Sequence, residues 1–408
     1  MTERIYYTDA YCTEFDAAVT ALAELDGRPA LILDRSAFYP TSGGQPYDTG
    51  ALGDYAVVDV VAADGAVYHI LDRAADPALV GQTIHGRIDW PRRHDHMQQH
   101  SGQHLISQVF HQLFGFETVS VHFGADESTL DLDAAEVTPE QLDQAELLAN
   151  DLVIRAIPIK TYFVGDAEID QVPLRRPPKV SGQIRIVEIA GVDWSACGGT
   201  HVRTTAEIGA IKFTRQQRMR GQARITFLCG RRALLDYRLK HRLITEAAAL
   251  YSTDIAQIPE LIARDQALNK ELQHRVDELQ TALLAYEAED LRQQGAQSGG
   301  CIVVAHAYAG RDAAALRTLA SQLIADAHAV ALLGSAQGDK VTVIFARGEQ
   351  APLHAGNLLR ASLQRFGGGG GGRPDFAQGG GIAPDRLADL ITYAAEQAAA
   401  ELASKEAS

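Results

Sequence analysis

Two short clusters of side chains could meet on one metal ion. Met97-Gln-Gln-His100-Ser-Gly-Gln-His104 sets two imidazoles four residues apart, just before Leu105, Ile106, Val109, Phe110 and Leu113 recur at helical spacing. Positions i and i+4 of a helix share a face, so the two rings can converge. Alone, such a pair describes two partly buried polar histidines just as well. Ser101 stands where the metalloprotease form of this motif needs its general-base glutamate, which argues against that chemistry. Trp194-Ser-Ala-Cys197-Gly-Gly-Thr-His201 supplies the second half, a thiolate and an imidazole four residues apart behind a strand ending near Ile189. The two glycines between them let the backbone turn so that both ligands reach one ion. Three histidines and a cysteine suit tetrahedral zinc, one ion per chain. Such a site either handles a substrate or closes around the ion and staples the helix to the loop.

The elements that must position these ligands are legible in outline. Ala30-Leu-Ile-Leu-Asp34, Tyr55 to Val61 and Ala66 to Leu71 are β-rich runs separated by Gly and Asp-Gly turns, which predicts a small barrel or sandwich over residues 1–90. A helix follows Pro91, covering Met97 to Phe114, and a second begins after Thr138. Strands are expected at Ile184–Ile189, Gly209–Thr214 and Ala223–Leu228, making residues 91–230 an α+β zinc-binding domain. Residues 231–297 carry no glycine before Gly295. Leu272, Val276, Leu279, Leu283 and Tyr286 step by four and three there, the seam of a helical hairpin or short coiled coil, with Pro259 at a helix boundary. After Gly299-Gly300, three buried-strand patterns at Cys301, Ala329 and Val341 alternate with helices, an α/β domain over 298–408. The fold class is therefore a multidomain α+β chain.

Composition narrows the function further. The 408 residues are 46 % hydrophobic and 22 % charged, which excludes wholesale disorder. No apolar run is long enough for a membrane span, and none follows the N-terminal charges as a signal peptide would. Cysteines 12, 197, 229 and 301 are too scattered for a disulfide framework, so a reducing cytoplasm fits, and Cys12, Cys229 and Cys301 read as core residues. The net charge of −15 argues against a simple nucleic-acid binder. Between Lys212 and Arg242, however, ten positive charges face the single acid Asp236, +9 across 31 residues, leaving −24 elsewhere. Such a block can neutralise phosphates even on an acidic protein. Lys212, Arg215, Arg218, Arg220 and Arg224 are its first candidates, with Arg175, Arg176 and Lys179 as extensions.

His100-x-x-x-His104 followed by Cys197-Gly-Gly-Thr-His201 resembles the editing domain of alanyl-tRNA synthetase. It looks closer still to the free-standing alanyl-tRNA editing proteins of AlaX type, in the long form with a C-terminal DHH-associated domain. Phe38-Tyr-Pro-Thr-Ser-Gly-Gly-Gln-Pro-Tyr-Asp-Thr-Gly50 is similar to that family's glycine-rich motif, and Glu207-Ile-Gly-Ala-Ile-Lys212 to the stretch after its Cys-His pair. Gly367 to Gly372 with Arg373-Pro-Asp-Phe-Ala-Gln-Gly-Gly-Gly381 resembles the DHH-associated domain. Ser101 departs from the family's more usual threonine but keeps the hydroxyl.

The resemblance implies a zinc-dependent aminoacyl-tRNA deacylase, hydrolysing the ester between serine or glycine and tRNA for alanine. Serine exceeds alanine by one hydroxyl, and a site that hydrogen-bonds it rejects the analogue lacking it by roughly 10⁴-fold. Thr41 is the candidate reader, Gly43 and Gly44 would bring backbone close to the substrate, and Gln45 could add an amide contact. His94, His96 and His122 read as surface or satisfied histidines. The Gly367–Gly372 run has a linker's composition, yet its folded surroundings and Arg373 suit a backbone-lined phosphate or RNA contact. A homodimer could form through the helical segment or the C-terminal domain. The length leaves no room for an aminoacylation domain ahead of the β domain. Two other readings stay open: a DHH-type phosphoesterase, and a tRNA-binding module whose zinc is structural.

Overall fold

Two Asp-Gly pairs set the first hairpins. Asp26-Gly27 and Asp64-Gly65 both have φ near +50° then +75°, the left-handed two-residue turn whose twist matches paired strands. They join Glu14–Leu25 to Arg28–Leu33 and Tyr55–Ala63 to Ala66–Leu71. With Gly50–Leu52 and Thr83–Ile88 these strands close into a six-stranded barrel. Strand residues Phe15, Leu31, Val60 and Ile84 point inward and, with Phe38 from the segment after Ser36, fill the interior. The computed structural model of the chain describes residues 1–178 and 180–406, in two compact units, Met1–Leu250 and Tyr251–Ser408. Lys179 lies outside the described residues.

Helix α1 (Trp90–Phe114) follows the barrel directly. Asp89 caps it by accepting from the Arg92 amide, Pro91 sits in its first turn, and Gly115 ends it at φ 70°. Every residue from His96 to Ile106 is buried, although the segment is rich in polar side chains. Each glutamine there has a partner inside the fold. Gln99 donates to the Cys229 carbonyl at 3.0 Å and accepts from the Cys229 amide at 2.9 Å, serving that residue as a neighbouring strand would. Gln98 donates to the Glu207 carbonyl. Leu105, Ile106, Val109 and Phe110 pack with Ile225, Phe227 and Leu130 from an antiparallel sheet and with Ala145 and Ala149 of α2 (Pro139–Ile154). That sheet runs in the order Ile211–Met219, Gln222–Cys229, Ser128–Leu132, Thr118–Phe123. A second, three-stranded sheet of Ile159–Val164, Ile184–Ile189 and Asp193–Ala196 delivers the loop that holds Cys197. Helix α3 (Arg231–Leu250) completes this unit.

The second unit starts near the 37-residue helix α4 (Ile258–Gln294), with Pro259 in its first turn. Its seam residues Leu272, Val276, Leu279, Leu283 and Tyr286 are all exposed. A six-stranded sheet runs in the order Ala296–Ser298, Cys301–Ala309, Ala329–Gln337, Lys340–Arg347, Phe376–Gly380, Gly369–Gly372. Its parallel pair is linked through α5 (Ala313–Leu323). Alternate strand residues feed two cores: Val304, Leu333 and Ile344 meet Leu316, Leu319 and Ala288, while Val330, Val343 and Phe345 meet α6 (Ala355–Arg365) and α7 (Leu387–Glu406). The glycine run is neither linker nor loop here. Gly369–Gly372 is an edge strand paired with Phe376–Gly380, and a Cβ on Gly370 would lie 2.6 Å from Gly379 Cα and 2.9 Å from Leu363. Glycine lets that strand close against its neighbour and α6.

Candidate metal centre

One full turn of α1 separates His100 from His104, so both rings leave the same face. The three-stranded sheet brings the loop of Cys197 and His201 opposite them. The ligand atoms of His100, His104, Cys197 and His201 all lie within 4.8 Å of one another. Cys197 Sγ is 3.4 Å from His100 Nε2 and 3.5 Å from His201 Nε2. Bonds of ~2.0–2.3 Å to a tetrahedral ion give ligand–ligand edges of about 3.3–3.8 Å, so those spacings fit.

The Nδ1 atoms show which nitrogens are free to ligate. His100 Nδ1 is 2.8 Å from Gln45 Oε1, His201 Nδ1 is 3.1 Å from Ser101 Oγ, and His104 Nδ1 is 3.4 Å from Asp193 Oδ2. The acceptor oxygens of Gln45 and Asp193 fix ring and tautomer, the Ser101 hydroxyl orients the His201 ring, and each Nε2 is left facing the cluster, as ligating histidines usually require. Burial alone would raise the Cys197 thiol, but nearby His100 and hydrogen bonds from His100, His104 and His201 hold it well below its usual value. Burial likewise opposes charge on His104, yet Asp193 and Cys197 outweigh it and raise that ring to about 9. Burial and the neighbouring His100 lower His201 to about 3. The donor set, borderline-soft and turned inward, fits a zinc-like ion.

Several supports were not foreseen from the sequence. Arg185, 7 % exposed, donates to the carbonyls of Cys197 and Gly199 at 2.8 and 2.9 Å and to that of Tyr7. A charged residue inside the apolar run Ile184-Arg-Ile-Val was the signal available. Asp193 is gripped by Arg175 at 2.9 Å. Buried Arg93, two turns before His100, pairs with buried Asp48 and donates to the Ala37 and Ala10 carbonyls. That pair ties the glycine-rich loop to α1. Gly199 has no room for a side chain, since its Cβ would fall 2.1 Å from His100 Cε1.

The glycine-rich loop is a tight turn. Ser42 and Gln45 exchange both backbone hydrogen bonds, across Gly43 and Gly44 at φ 57° and 87°. This turn aims Gln45 into the protein, where its Oε1 accepts from the Thr200 amide and its Nε2 donates to Thr200 Oγ1 at 2.7 Å. Gln45 therefore holds both His100 and the loop that carries Cys197 and His201. A cavity of about 560 Å³ opens over His100, His104 and Cys197, lined also by Ser42, Gly43, Tyr7, Tyr39, Gln103 and Phe163. Thr41 and Gly44 are not part of its wall: Thr41 Oγ1 accepts from the Tyr47 amide at 3.2 Å, and Gly44 faces Phe123. His94, His96 and His122 stay outside the cluster. Cys229 and Cys301 are buried, and Cys12 is half-buried against the barrel core.

The basic block looks different once folded. Lys212 pairs with Glu146, Arg215 with Glu127, Arg218 with Glu136 and Arg224 with Asp131. These acids lie outside the Lys212–Arg242 window, so the local excess is far smaller than the sequence count. Arg220, exposed at the hairpin tip, has no ion pair among the described residues. In the second unit Arg373 pairs with Asp375 at 3.2 Å.

Three stretches match known families. Residues 184–225 match the threonyl and alanyl tRNA synthetase second additional domain, residues 9–92 the class II (A) tRNA synthetases, and residues 299–400 the DHHA1 domain. Over 388 residues the chain is 30 % identical to the alanyl-tRNA editing protein AlaX-L of Pyrococcus horikoshii, covering 93 % of this chain and 94 % of that one. It is 31 % identical over 395 residues to an alanine–tRNA ligase of Methanothrix thermoacetophila, covering 93 % of this chain but 42 % of the ligase. Among solved structures, the C-Ala domain of Aquifex aeolicus alanyl-tRNA synthetase is 28 % identical, over 25 % of this chain and 95 % of that one, with a TM-score of 0.24. No helix among the described residues is long and apolar enough to cross a membrane.

Proposed function

Because the chain belongs to the family of alanyl-tRNA editing proteins, we propose that it is a zinc-dependent trans-editing hydrolase acting in the cytoplasm on tRNA(Ala) mischarged with serine or glycine. The observation that carries this reading is the convergence of His100, His104, Cys197 and His201, three of them in the wall of an open cavity. Zinc, when bound, supplies an electrophile able to anchor an α-amino group, polarise an ester carbonyl or acidify water. An aminoacyl ester is already activated, so the protein's task is positioning. Gln45, Ser101 and Asp193 hold the three Nδ1 atoms, and Arg185 clamps the Cys197–Gly199 carbonyls. Ser42 and Gly43 bring the glycine-rich loop to the substrate. Arg220, and the neighbouring Lys212, Arg215, Arg218 and Arg224 once exchanged from their acidic partners, would meet phosphates, and Arg373 offers a further contact. The exposed seam of α4 supports a homodimer.

The test is deacylation of matched seryl-, glycyl- and alanyl-tRNA with and without a chelator. Release of serine or glycine should exceed that of alanine and should fall with chelation. His104→Ala and Cys197→Ala should abolish it while leaving tRNA binding intact. A second reading, a tRNA-binding module with a structural zinc, draws on the completeness of the four-ligand set. Folded, tRNA-binding variants that still deacylate would remove the metal centre from the reaction.

A further inference from the structure

Of the twelve phenylalanines in the chain, Phe163 alone among the described residues is exposed, at 45 %. It lies on the Ile159–Val164 strand and lines the cavity over the metal centre, together with Val119, itself 47 % exposed. An aromatic face left open on a cavity wall is an unused binding surface. Tyr7 stands beside it, the two ring centroids 6.3 Å apart and their planes at 72°, so the rings make a corner.

Tyr7 is held from several sides. Its hydroxyl accepts from Arg4 at 2.9 Å, the guanidinium groups of Arg4 and Arg185 lie 5.5 and 5.6 Å from its ring, and Tyr6 meets it edge-on at 4.8 Å. It also adjoins the metal centre: a Cβ on Gly198, next to ligand Cys197, would lie 3.7 Å from the Tyr7 ring. The corner therefore begins beside the ligand loop and extends outward along the wall. The cavity, about 560 Å³, falls within the ~300–1,000 Å³ range of sites that enclose whole small molecules. An aminoacyl group alone would leave most of it empty.

We propose that Phe163 and Tyr7 form the platform on which the base of the 3′-terminal adenosine stacks while its aminoacyl ester reaches the His–Cys cluster. The proposal rests on the deacylase reading and adds the subsite for the nucleoside. A flat base stacks on an aromatic face whatever its hydrogen-bonding edge, and a corner already fixed by its neighbours loses little freedom when occupied.

Two measurements on the zinc-loaded full chain test it. The first is binding of the trinucleotide CCA, which requires no catalysis. Phe163→Ala should weaken it about tenfold, within the range of base–aromatic stacking, and Phe163→Trp should restore it. The second compares seryl-tRNA with serine 2-hydroxyethyl ester, which carries the ester but no base. Phe163→Ala should lower kcat/KM for the tRNA about tenfold relative to the small ester, through KM rather than kcat. Equal CCA binding by wild type and Phe163→Ala, or an equal loss on both esters, would overturn the platform. A wild-type protein that binds CCA through Phe163 but releases no amino acid would instead overturn the deacylase reading.

Discussion

Replacing Gly199 by alanine adds one methyl group and should dismantle the metal centre. The new Cβ would lie 2.1 Å from His100 Cε1, 2.4 Å from His100 Nδ1 and 3.0 Å from Gln45 Oε1. An ordinary carbon contact is ~3.5 Å, so the ring or the loop must withdraw by more than about 1 Å. The loop is poorly able to give. Arg185 holds the Cys197 and Gly199 carbonyls, Gln45 holds the Thr200 amide, and Ser101 holds the Val202 amide. His100 must therefore move, breaking its bond to Gln45 and carrying Nε2 well beyond the ~0.2 Å that a ligand position tolerates. Zinc affinity should fall by on the order of 100-fold or more, since disturbing an outer partner alone costs about 10–100-fold. Overpacking should add roughly 1–3 kcal/mol of destabilisation.

Gly198→Ala is the matched control, because its Cβ would meet only the Tyr7 ring, at 3.7 Å. Neither glycine has a positive φ, so the two variants differ in space and not in backbone strain. Competition with a chromophoric chelator would give both zinc affinities, and the sulfur-to-cobalt absorption of the cobalt-loaded proteins would report whether the ligand set is intact. Zinc affinities within threefold of each other would refute the argument that Gly199 exists to admit His100.

Two further outcomes follow from the same unit. His69 is fully buried in the barrel, donating from Nδ1 to the Leu31 carbonyl at 3.0 Å and accepting at Nε2 from Ser36 Oγ at 2.7 Å; burial lowers its pKa to about 4. The unfolded chain then binds a proton that the folded one refuses, so stability is complete above pH ~6.5 and falls by about 3 kcal/mol as pH drops to 4. Denaturant titrations of wild type and His69→Gln across that window should diverge in slope; parallel curves would show that another group governs acid sensitivity. Arg220→Glu should weaken tRNA binding and reduce its salt slope by about one contact, more than Arg218→Glu, whose charge Glu136 already neutralises. Equal effects in a salt titration would return Arg220 to an ordinary solvated residue.

What could be read in advance follows the range of the interaction. His100 and His104 could be read because helix geometry puts them on one face, but the pair gains its meaning only from Cys197 and His201, where two glycines free the turn. The Asp-Gly turns were legible for the same local reason. Residues whose roles are fixed by distant partners were not. Gln45 read as a substrate contact because nothing in its neighbourhood names His100 and Thr200 as its partners, 55 and 155 residues away. Thr41 read as a pocket hydroxyl because a sequence does not say which residue of a tight turn faces the cavity. The basic window overstated its local charge for the same reason: a count along the chain omits Glu127 and Glu136, which the fold sets beside Arg215 and Arg218, and Asp131, which strand pairing sets opposite Arg224. The glycine run inverts the usual inference from composition. Six consecutive glycines suggest freedom, yet Gly370 and Gly372 lie in an edge strand where any Cβ would strike Gly379 or Ala377. The missing side chain serves close packing in both places: at Gly370 and Gly372 against the paired strand of the same hairpin, and at Gly199 against His100, far along the chain.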